Sequence, residues 1–309
     1  MTPLSEEILR SYQMRKTKKQ KTAFIQFMQS KFPEIRVEQG GFGNNRNLVI
    51  GDVASADVIY TAHYDTCAQM PFPNFICPKN FLLYLMYSLA ICLPFAVIAI
   101  GLNMLLHCFT DSFLITYWGT FLPTMGLMFW LLMGGKANPN TANDNTSGVI
   151  TLCRILEEMP AEDRSHTAFV FFDNEENGLL GSAYFQKIHK KDGINSKLVV
   201  NFDCVSDGDH LLFVLTKPVR KRYGDAFAAA FPAQNGKVVY FEKAATTIYP
   251  SDQAYFPLGV GVAALKKKRG VGLYMNRIHT VKDTVFQKEN IDFFVSGALR
   301  LTEQLRRSV

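Results

Sequence analysis

From Asn80 to Thr110, and again from Ser112 to Gly135, the chain contains no Asp, Glu, Lys or Arg. At a helical rise of about 1.5 Å per residue, roughly 20 residues cross a hydrocarbon core of about 30 Å. Both runs exceed that. A helix on a soluble core keeps polar residues along one face, and neither run does so over its length. The pattern predicts two transmembrane helices forming a hairpin over residues 79–135. Pro94 and Pro123 would kink them, which membrane spans tolerate. A buried hairpin in a large core and an apolar dimerisation arm are the alternatives. Residues 1–78 and 136–309 are expected to form one discontinuous domain of about 250 residues, enough for a sizeable core.

Within that remainder, the apolar run Ala168 to Phe172 leads to Glu175 and Glu176, then to Gly178-Leu-Leu-Gly-Ser182. Both acids therefore stand where a buried strand ends in a turn before a helix. In an open α/β sheet this carboxyl edge is where ligand and catalytic groups gather. Adjacent carboxylates resist ionising together unless a positive charge sits beside them. A divalent cation held by one, with the other left as a base, resolves the conflict. An exposed acidic pair at a strand end is the plainer alternative for this segment alone.

Four more segments have the same character. Val58 to Ala62 ends in His63-Tyr64-Asp65, an imidazole with a carboxylate placed to orient it. Asn143-Asp-Asn-Thr-Ser-Gly148 opens a helix-like run to Met159, with Asp144 a candidate ligand and Ser147 or Thr146 a cap. Leu198 to Phe202 delivers Asp203, and Arg277-Ile-His279-Thr280 precedes Asp283-Thr284. Together they supply two imidazoles and further carboxylates, a mixed nitrogen and oxygen donor set suited to zinc with an open position.

In chain order, His63-Tyr-Asp65, Asn143 to Gly148, Phe172-Asp-Asn-Glu-Glu176 with Gly181-Ser182, Asn201-Phe-Asp203 and His279 to Thr284 resemble the M28 aminopeptidases, co-catalytic zinc exopeptidases. Ser251-Asp252 with Phe256 and Gly259 is similar to the family's segment before its penultimate strand. The resemblance covers residues 20–78 and 136–309. It implies two zinc ions per chain, with manganese or cobalt also compatible with the donors. Asp144 would bridge them, His63 and Asp203 would complete one ion's ligands, and Glu176 and His279 the other's. Glu175 would be the general base and Asp65 the partner that orients His63. The substrate it implies is a peptide with a free N-terminus, whose ammonium Glu175 and Asp203 would attract. Tyr249, Asp252 and Tyr274 are candidate substrate contacts, the tyrosines as donors to a developing oxyanion, although packing at the sheet edge explains them as well. A single-zinc glutaminyl-cyclase-like acyltransferase and a non-catalytic membrane receptor or scaffold on the same fold are the competing functions.

The hairpin interrupts this resemblance between His63 and Asp144. Because both must reach one site, the chain has to return to the side it left, so the number of spans must be even. The connecting turn carries Asp111 and no Lys or Arg. Lys79 and Lys136 flank the outer ends, and Arg15, Lys16, Lys18, Lys19 and Lys21 precede them. By the positive-inside rule both termini and the catalytic domain are expected in the cytoplasm. Met1 to Glu7 reads as a capped helix start rather than an apolar signal segment.

The rest of the chain alternates strands and helices, predicting an α/β fold: a mostly parallel mixed sheet covered by helices on both faces. Helices are expected over Ser5 to Phe32, from Gly148, from Leu179, over Arg220 to Phe231 and over Glu289 to Arg307. Strands are expected near Val37, Leu48, Ile59, Ala168 to Phe172, Leu198 to Phe202, Leu211 to Leu215, Val239 and Val262. The six cysteines show no paired spacing, which suits a reducing compartment. Cys204, next to Asp203, is either a thiol near metal or a strand-end core residue. A net charge of +6 concentrates in Arg15 to Lys21, Lys266 to Arg269 and Arg306-Arg307. These read as solvated surface or contacts to anionic lipid. No motif or aromatic interleaving supports nucleic-acid binding.

Overall fold

The chain is described here by a computed structural model covering residues 1–234 and 236–307. It opens with helices α1 (Pro3–Ser11) and α2 (Lys18–Lys31), where the sequence predicts a single helix to Phe32. The break has a local cause. Thr17 starts a new helix through a capping box: its Oγ1 accepts from Gln20 N–H, and Gln20 Oε1 accepts from Thr17 N–H. The intervening turn carries Arg15 into complete burial.

Strands β1 (Arg36–Gly40), β2 (Asn45–Ile50) and β3 (Val58–His63) follow. The apolar insertion then forms α3 (Phe81–His107) and α4 (Phe113–Phe129). The chain returns through α5 (Gly148–Glu158), α6 (Ala161–Arg164), β4 (Thr167–Phe172), α7 (Leu180–Ile188), β5 (Leu198–Phe202) and β6 (His210–Leu215). It finishes with α8 (Lys217–Ala230), β7 (Val238–Lys243), β8 (Gly259–Lys268), β9 (Gly272–Tyr274) and α9 (Lys288–Arg307). The sheet order is β1-β2-β4-β3-β5-β8-β6-β7, with β9 paired to β8. Its centre, β4-β3-β5-β8, is parallel, and antiparallel pairs flank it.

Period-2 alternation in the strands sorts side chains to two layers. In β4, Phe169 and Phe171 pack with Val149, Leu152 and Phe294 of α5 and α9. Ala168, Val170 and Phe172 face the other way, against Phe185 of α7 and Phe256. Helices therefore cover both faces, as a parallel centre requires. Each Phe buried this way contributes about 1.5–3 kcal/mol.

Of the two expected spans, one helix, α3, is long and apolar enough to cross a membrane, and little of it is buried. The second run forms the shorter α4, 17 residues, continued by a π-helical turn at Trp130–Gly134. Pro94 and Pro123 lie inside the two helices as expected. α3 and α4 pack against each other: Leu106 lies over Gly119, where a Cβ would sit 2.9 Å from Leu106 Cδ1, and Asn103 Nδ2 donates to Thr120 Oγ1 at 3.4 Å. Their large side chains, among them Phe81, Leu93, Ile100, Phe113, Trp118 and Leu122, are exposed. An apolar surface of that extent marks an interaction site or a membrane contact.

The roots of the insertion lie side by side. Ala68 pairs with Ala137, Gln69 N–H donates to Lys136 O at 2.8 Å, and Asn138 N–H donates to Cys67 O at 3.2 Å. The two ends of the apolar segment thus meet at one place, a few residues beyond His63 at the end of β3.

Candidate metal centre

β4, β3 and β5 are neighbours running in one direction, with His63 opposite Phe172 and Thr61 opposite Asn201. Their carboxyl ends therefore meet. His63 closes β3, Asp203 follows β5, and Glu175 and Glu176 follow β4 after a turn. Asp144 arrives from the segment that opens α5, and His279 from the loop after β9. All seven expected residues of the centre, His63, Asp65, Asp144, Glu175, Glu176, Asp203 and His279, converge at this edge, on contacts that range across the whole chain.

Asp144 lies between the two imidazoles. His63 Nε2 is 3.4 Å from Asp144 Oδ1 and 3.4 Å from Asp203 Oδ1. His279 Nε2 is 3.2 Å from Asp144 Oδ2 and 3.3 Å from Glu176 Oε2. Ligands about 2.0–2.1 Å from a tetrahedral ion stand about 3.3 Å from each other. The separations match the edges of such a tetrahedron, and most exceed the usual N–H···O range. Asp203 Oδ1 and Glu176 Oε1 are buried with no hydrogen-bond partner, a cost that a cation would remove. The donor atoms of His63, Asp144 and Asp203 lie within 4.8 Å of one another and fit a divalent cation, as do those of Cys67, Glu176 and His279 and those of His63, Glu175 and Glu176.

The electrostatics agree. Burial, reinforced by Glu176, Asp203 and Asp252, raises the Glu175 carboxyl well above the usual range. Burial together with Asp144, Asp65 and Asp203 does the same to Glu176. Burial also pushes Asp252 up to about 7, with Asp65 and Asp203 adding to it. Burial opposes charge on His63, but Glu175 and the carboxylates of Asp144, Asp203 and Asp65 outweigh it and raise the imidazole. Asp144 is held low despite its burial, by hydrogen bonding and charge from His279 and His63. So many carboxylates in one largely buried site call for positive charge.

The loops carrying these groups are braced through their backbones. Asp65 Oδ1 and Oδ2 accept from Glu175 N–H at 3.0 Å and Glu176 N–H at 3.3 Å. His63 Nδ1 is 3.1 Å from Asp65 O and 3.6 Å from its carboxylate, so Asp65 contacts His63 mainly through its carbonyl. Asn145 links three segments: Nδ2 donates to Phe202 O at 2.9 Å and to His63 O at 3.5 Å, and Oδ1 accepts from Gly148 N–H at 3.0 Å and Cys204 N–H at 3.2 Å. Gly148 must be glycine, since a Cβ would lie 2.3 Å from Phe202 O. Asn174, Cys204 and His279 hold left-handed φ values of 55°, 56° and 64°. Such non-glycine residues cost roughly 1–3 kcal/mol each and cluster at functional sites.

The three candidate substrate contacts separate. Asp252 is buried close enough to Glu175 to raise its carboxyl. Tyr249 is buried and spends its hydroxyl on Asp203 O at 2.8 Å. Tyr274 lies on β9 beside Phe75 and under Lys266. Cys204 joins the core cluster around Tyr249, whereas Cys67 is the buried thiol whose Sγ lies within 4.8 Å of the donor atoms of Glu176 and His279.

Sequence reasoning missed Cys67, Asn145 and Arg15. Arg15 donates from Nε to Tyr64 O and from Nη1 to Tyr12 O and, at 3.1 Å, to Thr146 Oγ1, while its own N–H donates to Thr66 Oγ1 at 2.9 Å. Its side chain thus ties the loop after β3 to the segment before α5. The signal available was a cation in a charged stretch, which ordinarily means surface.

Residues 104–296, more than half of the chain, match the family model described as "Peptidase family M28". No curated protein matches by sequence. Among solved structures, the Legionella pneumophila LapA aminopeptidase is similar over 98% of this chain and 68% of its own, with a TM-score of 0.57 and 15% identity. A Zn-dependent exopeptidase from Parabacteroides distasonis is similar over 98% and 94%, with a TM-score of 0.56 and 12% identity. The Porphyromonas gingivalis glutaminyl cyclase is similar over 97% and 95%, with a TM-score of 0.58 and 14% identity. At these identities the likeness is one of fold.

Proposed function

Because the chain belongs to peptidase family M28, we propose that it is a membrane-anchored metallo-aminopeptidase that removes N-terminal residues from peptides. The observation that carries this reading is Asp144, whose two carboxylate oxygens each stand 3.2–3.4 Å from a different imidazole. His63 and Asp203 would hold one zinc ion with Asp144, and His279 and Glu176 a second. When bound, such a pair acidifies water and polarises a carbonyl.

The remaining steps belong to the chain. Glu175, half-buried and raised in pKa, takes a proton from the attacking water and passes it to the leaving amine, the work of a positioned general base. Asp203 and Glu175 attract the substrate's free ammonium. Asp65 fixes the backbone of Glu175 and Glu176, and its carbonyl accepts from His63 Nδ1, which leaves Nε2 as the donor atom.

The insertion over 79–135 would serve as the anchor, with α3 as one span and α4 with its π-helical extension as the return. Exposed apolar side chains on both helices support this. The cations at Lys16, Lys79 and Lys136 favour a cytoplasmic catalytic domain under the positive-inside rule.

The deciding experiment is elemental analysis of detergent-purified protein with a panel of aminoacyl-arylamides and N-terminal Gln peptides. Two metal ions per chain with release of N-terminal residues is the expected result. One zinc with cyclisation of Gln peptides would replace the peptidase reading by the cyclase one. Metal-loaded protein with no turnover would leave a receptor or scaffold.

A further inference from the structure

We propose that Lys16 is a carboxylate-binding residue of the pocket beside the metal centre, aimed into it by the last turn of the apolar insertion. The inference rests on the peptidase reading above and adds the substrate class: short peptides that present a carboxylate a residue or so beyond the scissile bond. That carboxylate is either the free C-terminus or an acidic side chain.

A pocket of about 260 Å³ adjoins the centre. Glu176 and His279 line one part of it, Lys16 and Lys21 another, and Leu132 and Met133 of the insertion a third. The two lysines differ. Lys21 is committed, with Nζ 2.6 Å from Asp173 Oδ1 and 2.7 Å from Asn174 Oδ1, and it is buried. Lys16 has no carboxylate partner among the described residues. Its Nζ donates to Met133 O at 2.5 Å.

An ammonium has three donors, so two remain for a ligand. A lysine on a four-carbon stem ordinarily points into water. Here it is held by a main-chain carbonyl in the π-helical turn Trp130–Gly134, at a helix end where carbonyls lack helical partners. Leu132 and Met133 bring apolar surface beside it, which strengthens an ion pair formed there. The volume falls below the roughly 300–1,000 Å³ of pockets for drug-sized ligands. It suits one end of a dipeptide or tripeptide rather than a long chain. With Glu175 and Asp203 attracting an ammonium at the centre and Lys16 a carboxylate nearby, the site reads both ends of a short zwitterionic peptide.

The test compares kcat and KM for dipeptides and tripeptides as free acids, as C-terminal amides, and as amides carrying Asp or Glu after the scissile bond. Wild type, Lys16→Met, Lys16→Gln, Lys16→Arg and Lys18→Met are assayed in detergent with their folding checked by circular dichroism. Lys18 is exposed and outside the pocket. Wild type should favour carboxylate-bearing substrates over plain amides by about tenfold, the scale of one hydrogen bond between charged groups. Lys16→Met and Lys16→Gln should erase most of that preference through KM, while Lys16→Arg and Lys18→Met retain it. Preference for free acids alone assigns the C-terminus, and preference for acidic amides alone assigns the side chain. Equal preference in wild type and both neutral Lys16 variants overturns the proposal. Failure of metal-loaded wild type to cleave any peptide overturns the peptidase reading, and this inference with it.

Discussion

Asp283 holds Asp144 by its backbone rather than by its side chain. Asp283 Oδ2 accepts from Asp144 N–H at 3.0 Å, and Oδ1 accepts from Asn143 N–H at 2.9 Å. Both carboxylate oxygens of Asp144 are thereby left for His63 and His279. The clamp comes from the same short segment that carries His279, so one loop both carries an imidazole of the candidate centre and fixes the carboxylate between the two imidazoles. Burial and the neighbouring Asp144 and Asp207 push Asp283 up to about 7, which shows how much negative charge the clamp must tolerate.

Asp283→Ala should leave two buried N–H groups unpaired, at about 1–3 kcal/mol of stability each. Loss of the support behind a ligand also lowers metal affinity by roughly 10–100-fold. Denaturant titration and competition with a chelator measure the two effects. A variant of unchanged stability and unchanged metal affinity would remove Asp283 from this role.

Glu175→Gln keeps shape and removes the base. Turnover of aminoacyl-arylamides should fall by roughly 10²–10⁴-fold, with metal content by elemental analysis close to wild type. Retained turnover would exclude Glu175 as the base. Loss of metal together with activity would instead make it a ligand.

Arg15→Met should destabilise the fold by about 3 kcal/mol or more, since a buried cation's hydrogen bonds to Tyr64 O, Tyr12 O and Thr146 Oγ1 all go at once. Because Arg15 ties the loop bearing His63 to the one bearing Asp144, metal affinity should drop as well. Lys at this position restores the charge but not the fork of donors, so Arg15→Lys should recover only part of either quantity.

His189 bridges Glu38 at 3.0 Å and Asp192 at 2.6 Å. Its imidazole is raised although burial works against it, because both carboxylates favour the charged form. A raised folded pKa gives stability that is complete below the unfolded value of about 6.5 and fades as pH rises through the folded value. The difference in Tm between wild type and His189→Gln should be largest near pH 5.5 and shrink toward pH 9. A difference that grew with pH would contradict the assigned sign.

Much of this architecture was legible in the chain. β4 and β5 were visible as short apolar runs, and the acids after them as interruptions at the strand ends. The uncharged stretches at Asn80 and Ser112 announced helices with no charged face. Less visible was the helix boundary at Thr17, where a capping box overrode the apparent continuity from Ser5 to Phe32. The second apolar run looked as long as a span, yet its regular α-helix stops at Phe129 and a π turn takes over. Composition records total apolarity and says nothing of the hydrogen-bond register.

The same limit applies around the centre. Arg15 and Lys16 stand in a run of cations that spacing alone assigns to the surface. Folding buries the first against Tyr64 and Thr146, and turns the second onto a carbonyl of the insertion more than a hundred positions away. Cys67 and Asn145 were equally silent, since a thiol or an amide next to a loop has no period. Sequence by itself determined the strands other than β9, the uncharged helices and the strand ends at which His63, Asp203 and the Glu175-Glu176 pair emerge, because those follow from local hydrophobic periodicity. Only the tertiary structure decided which buried polar groups hold those loops together and which cation faces the pocket, because each such group draws its partners from segments brought near by packing rather than by sequence.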